Sequence, residues 1–270
     1  MLGAEPSTLT VFRNIPYITG GSDRQKLDLY LPQDYETRKE PLPLAILIHG
    51  GGFVAGNKEA TSYWTDFFAN NGYATATINY RLAPEAPMLV QITDCKSAVR
   101  FLRANAKKYN LDTKRFIAAG WSAGGTHAAF LGVNGDTKAF DTGEYLEQSS
   151  DVQAVVLYWT PTNFLLHRPE KHRKPKVFAE QFDDDEYRKK VSPLFYASDK
   201  TVPTFIVHAV DDKTVPVEQG RIFYDALKEA GVKTEFIELK SGGHASKEIR
   251  RPEDLKRILD FLTDTLSTID

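Results

Sequence analysis

The chain has 270 residues, 41% hydrophobic and 26% charged, an ordinary make-up for a globular protein and enough for one large α/β domain. A formal net charge of −2 offers no basic field to nucleic acid or an anionic membrane, and no run approaches the ~18 apolar residues a membrane helix needs. Its single cysteine, Cys95, excludes an internal disulfide.

Met1-Leu2-Gly3-Ala4 lacks the charged start and apolar stretch of a signal peptide. Its small residues before Glu5-Pro6 resemble the end of a cleavage site, and the expectation drawn is an exported protein. Strands are predicted at 8–12 and 26–31, and a buried one at 44–48 that stops in His49-Gly50-Gly51-Gly52-Phe53. A strand ending in glycines brings bare backbone N–H groups close to a neighbour. A helix at 63–71 and a strand at 74–79 follow, then a helix at 88–109. Its apolar positions Met88, Ile92, Cys95, Val99, Leu102 and Ala106 recur every three or four residues, which makes Cys95 core filling.

The strand at 116–120 runs into Gly120-Trp121-Ser122-Ala123-Gly124 and then a helix at 123–131. Strand, G-x-S-x-G, helix is the nucleophile elbow, in which a tight turn projects the serine hydroxyl from the sheet edge and the flanking glycines avoid clashes. With that elbow downstream, the N–H groups of Gly51 and Gly52, joined by that of Ala123, are read as an oxyanion hole. Further strands are predicted at 154–158, 204–208 and 234–239, with helices at 217–230, stopped by Gly231, and at 252–267. The stretches 133–150 and 161–200 are polar insertions. The Asp183-Asp184-Asp185 run in the second lacks the oxygen-ligand spacing of a cation loop and reads as surface loop and helix start, so no metal is expected. The whole is an α/β fold: a mostly parallel eight-stranded sheet with helices on both faces and a small cap insertion near 161–200.

A serine needs a base, and the base an orienting acid, in the chain order Ser, Asp or Glu, His. Of six histidines, His244 suits the base: it lies in the small-residue loop Ser241-Gly242-Gly243-His244-Ala245 between the last strand and last helix. His49 belongs to the glycine turn, His127 sits on the elbow helix and packs, His167 and His172 lie among Lys and Arg in the insertion, and His208 ends a strand. The acid follows that strand, where Asp211 and Asp212 compete.

These motifs resemble the α/β-hydrolase serine esterases over most of the chain. Two branches are similar: the hormone-sensitive-lipase-like carboxylesterases, and bacterial esterases related to acetylxylan and feruloyl esterases. Beyond H-G-G-G and G-x-S-x-G-G, the resemblance includes Asn79-Tyr80-Arg81-Leu82-Ala83-Pro84-Glu85-Ala86-Pro87 and the helical segment 94–106. Trp121 stands where the lipase-like branch usually has Asp, and Asp212-Lys213-Thr214-Val215-Pro216 fits the D-x-x-V-P of the second branch, which implies Asp212 as the acid. Asn163 stands where an aspartate often ends its segment, and turn-capping is the one role considered for it.

The resemblance implies a carboxylesterase with a Ser122, His244 and Asp212 triad and no cofactor. The residues before the strand at 44 hold two strands, not the helical cap of the lipase-like branch, and the insertion is polar. An open cleft for short acyl esters, including acetyl or feruloyl esters of plant polysaccharide, is expected. Phe53, Trp121 and Trp159 are candidates to line an acyl or sugar surface. An arylformamidase or other amide hydrolase would use the same machinery; a prolyl-oligopeptidase-type peptidase would carry a propeller, which nothing here fits. A non-catalytic binding relative would usually have lost a triad residue. Oligomeric state is not legible.

Overall fold

Eight strands form one sheet in the computed structural model, which describes residues 8–133, 140–168, 176–245 and 247–269. The start of the chain, on which the export expectation rests, and His172 lie outside the described residues. In chain order the strands are β1 (Leu9–Pro16), β2 (Lys26–Pro32), β3 (Leu42–Ile48), β4 (Ala74–Ile78), β5 (Leu111–Trp121), β6 (Ala154–Tyr158), β7 (Thr204–Ala209) and β8 (Thr234–Leu239). Their spatial order is β1-β2-β4-β3-β5-β6-β7-β8. β1 pairs with β2, and β2 with β4, antiparallel, and every other pair is parallel.

The helices are α1 (Ser62–Asn70), α2 (Met88–Ala104), α3 (Ala123–Gly132), α4 (Lys176–Gln181), α5 (Asp185–Lys190), α6 (Glu218–Glu229) and α7 (Pro252–Leu266). Alternation along the central strands sorts the core into two layers. In β3, Leu44, Ile46 and Ile48 meet the buried side chains of α2, α3 and α6, whereas Ala45 and Leu47 meet those of α1 and α7. With both faces covered, the parallel strands read as continuous apolar runs rather than as alternating ones. Cys95 is buried in α2 as part of the first layer.

Three boundaries differ from the sequence expectation by more than two residues. β1 runs on to Pro16 through an irregularity between Phe12 and Ile15, where Asn14 adopts φ 54°. α2 stops at Ala104, not 109: the chain turns, Leu111 N–H donates to Ala106 O at 2.9 Å, and Asn110 takes φ 50°. Ala106 and Tyr109 stay buried through that turn, so the apolar spacing outlasts the helix. β5 starts early because Leu111 pairs with Leu42 at the far end of β3.

The insertion at 161–200 holds α4, which was not predicted, and α5, which begins at the Asp run read as a helix start. The Asp run ends in a cap, since Asp184 Oδ1 accepts from Glu186 N–H at 2.9 Å and opens α5. The insertion is less polar than its sequence reads: Phe164, Phe178 and Phe182 are buried against one another and reach Phe53. Asn163 caps a turn there, its Oδ1 accepting from Leu165 N–H at 2.9 Å.

Candidate active site

β5 and α3 meet at Ser122, which takes φ 52° and ψ −121°, a backbone region that costs a residue with a Cβ on the order of 1–3 kcal/mol. Its neighbours leave no room for side chains. A Cβ at Gly124 would run into the carbonyls of Ile48 and His49 at the end of β3, and one at Gly120 into the backbone of Gly124. The turn is further pinned by Ser122 N–H donating to Tyr158 O on β6 at 2.9 Å. That bond commits Ser122's own N–H to the sheet. Ala123 opens α3, and its N–H belongs to the first turn, which has no intrahelical carbonyl to meet.

The loop after β8 brings His244 over this turn. Gly242 and Gly243 take φ 117° and 61°, and their N–H groups donate to Asp211 at 3.2 and 2.8 Å. His244 Nε2 lies 3.0 Å from Ser122 Oγ, and its Nδ1 lies 2.8 Å from Asp212 Oδ2. The two adjacent aspartates thus divide the labour: Asp211 holds the loop backbone, and Asp212 holds the ring.

Asp212 is itself fixed. Its Oδ1 accepts from Thr214 and Val215 N–H at 2.8 and 2.9 Å. His208 Nε2 lies 2.8 Å from Val215 O and 3.5 Å from Asp212 Oδ2, so its N–H serves the carbonyl first and leans on the carboxylate. Burial pushes the Asp212 carboxyl up, but the bonds from His208, His244 and the Val215 backbone outweigh it and hold the group well below the usual carboxylate range. Asp212 is therefore ionised at neutral pH and accepts the Nδ1 proton of His244, which leaves Nε2 free to accept from Ser122.

Ser122 and His244 open on a cavity of about 500 Å³. Gly51 and Gly52 line it from the turn after β3, where Gly51 O accepts from Val54 and Ala55 N–H at 3.2 and 3.0 Å. Trp121 and Trp159 line it too. Trp121 stacks flat on Tyr158 with ring centroids 5.0 Å apart, and Trp159 sets its edge against His244 at 6.2 Å. Phe53 does not line it, a correction to the sequence reading. It is 3% exposed and packs against His127, Phe164 and Phe178, because its φ of 70° turns the chain back into the core.

Sequence reasoning missed Trp64, Ile249 and Arg250 in the cavity wall. An aromatic on the helix after the glycine turn could have pointed to Trp64; Ile249 and Arg250 carried no local signal. No described residue of the 161–200 insertion lines the cavity, and its buried aromatics Phe164, Phe178 and Phe182 pack on the core. Among the described residues no group of three or more His, Cys, Asp or Glu could hold a metal ion, and no helix is long and apolar enough to cross a membrane.

Two further histidines are buried away from the Ser122 hydroxyl. His49 stacks on Tyr80 at 4.5 Å, donates from Nδ1 to Gly50 O at 2.7 Å, and faces Arg24 with Nε2; burial lowers its pKa to about 4. His127 is fully buried edge-on to Phe53 and Tyr80, neither ring nitrogen has a partner among the described residues, and burial lowers its pKa to about 3.

A mostly parallel sheet with a nucleophile elbow, a glycine turn and a histidine loop at the carboxyl ends of its strands defines the α/β-hydrolase esterases. Within them the chain belongs to the BD-FAE family, whose model matches residues 27–227. Esterase LipQ of Mycobacterium tuberculosis is 27% identical over 92% of this chain and 61% of its own length. The chain spans about three fifths of the length of such curated esterases, LipC of the same organism being covered to 58%. A solved structure described as a truncated form of a carbohydrate esterase from gut microbiota superposes with a TM-score of 0.86 at 28% identity, covering 98% of this chain and 99% of that one. A bifunctional GH43-CE of Bacteroides eggerthii gives 0.85 at 27% identity, covering 95% of this chain and 35% of that one.

Proposed function

We propose that this chain is a serine carboxylesterase acting through an acyl-enzyme on short-chain esters, with acetyl or feruloyl groups of plant polysaccharide as the substrate class. The observation that carries the reading is the pair of hydrogen bonds joining Ser122 to His244 at 3.0 Å and His244 to Asp212 at 2.8 Å. Ser122 Oγ attacks the ester carbonyl as Nε2 of His244 takes its proton. The N–H groups of Gly51, Gly52 and Ala123 receive the oxyanion, the type of contribution whose loss costs on the order of 10²–10³ in rate per donor. The imidazolium, stabilised by ionised Asp212, then protonates the leaving alcohol, and the neutral ring activates water to release the acid. A similar structure described as a carbohydrate esterase, and the indole walls of Trp121 and Trp159, support a sugar-linked ester.

The test is Ser122→Ala, with a sulfonyl fluoride as independent probe. The variant is expected to lose about 10⁴-fold or more in kcat with its fold intact, and mass spectrometry of the treated wild type to find the adduct on Ser122. Near-normal turnover in the variant, or labelling elsewhere, overturns the assignment. Acetate or ferulate release from acetylated xylan and feruloylated arabinoxylan tests the substrate class; activity on small esters alone would leave a general short-chain carboxylesterase.

A further inference from the structure

Among the described residues the cavity wall contains one permanently charged side chain. Arg250, in the turn before α7, lines the same cavity as Ser122, His244 and the indoles, and no Asp or Glu among the described residues lines it. Its neighbours are neutralised: Arg251 pairs with Asp254 at 2.6 Å, and Arg257 with Glu235 at 3.0 Å. Arg250 has no carboxylate partner among the described residues. Instead its guanidinium lies over the ring of Tyr63, 3.8 Å from the centroid. A cation laid on an aromatic face loses torsional freedom but keeps its in-plane N–H donors available. The preceding Ile249, 1% exposed, anchors the turn that presents it. A planar fork held in place without an anion, beside a nucleophile, matches the geometry that recognises a carboxylate through two parallel hydrogen bonds.

We infer that Arg250 and Tyr63 form a subsite for a carboxylate carried by the substrate, so that the preferred esters are anionic. This rests on the esterase reading and narrows it. The carboxylate can belong to the alcohol, as in an acetylated uronic acid, or to the acyl group, as in a half-ester of a dicarboxylic acid. Arg250 does not take part in the acyl transfer; it sets which ester is held against Ser122.

The experiment compares kcat/KM within two matched pairs: acetylated methyl glucuronide against its neutral methyl ester, and the 4-nitrophenyl half-ester of succinate against 4-nitrophenyl butyrate. A charge-assisted pair at a partly exposed site predicts a preference of about tenfold for the anionic member of one pair, which also identifies the side that carries the charge. Added salt should shrink that preference. Arg250→Gln should bring the ratio to about one through KM, and Arg250→Lys should restore part of it. A wild-type ratio of one or below in both pairs, or a ratio unchanged by Arg250→Gln, overturns the inference while turnover of the neutral esters leaves the esterase reading standing. If no ester is turned over, the esterase reading falls separately. Calorimetric titration of Ser122→Ala with the members of both pairs still decides the subsite, tighter binding of the anion in either pair supporting it and equal binding in both refuting it.

Discussion

His127 makes the fold acid-sensitive by an amount that can be worked out. The ring is fully buried and its pKa is lowered from 6.5 to about 3 by burial. In the unfolded chain it takes up a proton near its ordinary value, whereas in the folded state it stays neutral until far lower pH. The unfolded state therefore binds more protons throughout this window, and stability rises with pH across it. The contribution is fully present above 6.5 and is lost progressively as pH falls towards 3. Between neutral pH and about pH 4.5 the loss from this residue comes to about 2.5 kcal/mol. His127→Leu removes the titration and keeps an apolar neighbour for Phe53 and Tyr80. Urea unfolding of wild type and variant at the two pH values reads the difference. The wild type should lose about 2.5 kcal/mol more than the variant on acidification, whatever their relative stability at neutral pH. An equal loss in both proteins would mean that His127 is protonated in the folded state, and the reasoning from burial would fail.

Three further outcomes follow from the site. Asp212→Asn should lower kcat by up to ~10⁴-fold, because the carboxamide can present its NH₂ to Nδ1 and stabilise the wrong tautomer. Asp211→Asn should be much milder in steady-state assays, since it weakens only the bonds to Gly242 and Gly243. Across 4-nitrophenyl acetate, butyrate, octanoate and palmitate, kcat/KM should peak at the first two. Each further CH₂ gains its ~0.8 kcal/mol only if buried, and no described residue of the insertion walls the cavity of about 500 Å³. Best activity on palmitate would refute that reading.

Much of the fold was legible because its signals are local. β3 and β7 are short apolar runs bounded by turns, and Gly231 at φ 76° ends α6 where a glycine was expected to. The errors arose where tertiary contacts overrode the pattern: Ala106 and Tyr109 are apolar for burial rather than for helix, and the aromatics of the insertion are invisible among its charges. At the site, Ser122 and His244 stood out through their glycine contexts, and the structure brings them together with Asp212. The choice between Asp211 and Asp212 needed a family pattern, because both side chains reach the same loop. Phe53 misled because a residue next to a glycine turn can face either way. Arg250 reaches the cavity only through the fold, from a turn 128 positions beyond Ser122.

The place of β6 has a consequence for how such a site diversifies. Ser122 stands at the end of β5, while Asp212 and His244 follow β7 and β8, so β6 lies between the strand that carries the hydroxyl and those that lead to its imidazole and carboxylate. That separation is set by main-chain bonds, Ser122 N–H to Tyr158 O at 2.9 Å on one side and Trp159 N–H to Val207 O at 2.8 Å on the other. The spacing of chemistry is thus a lattice constant of the sheet, indifferent to side-chain identity. Ala60, Trp64, Ile249 and Arg250 hang on segments outside that lattice. Selection can exchange them, and with them the molecule accepted, while the reacting atoms stay in register.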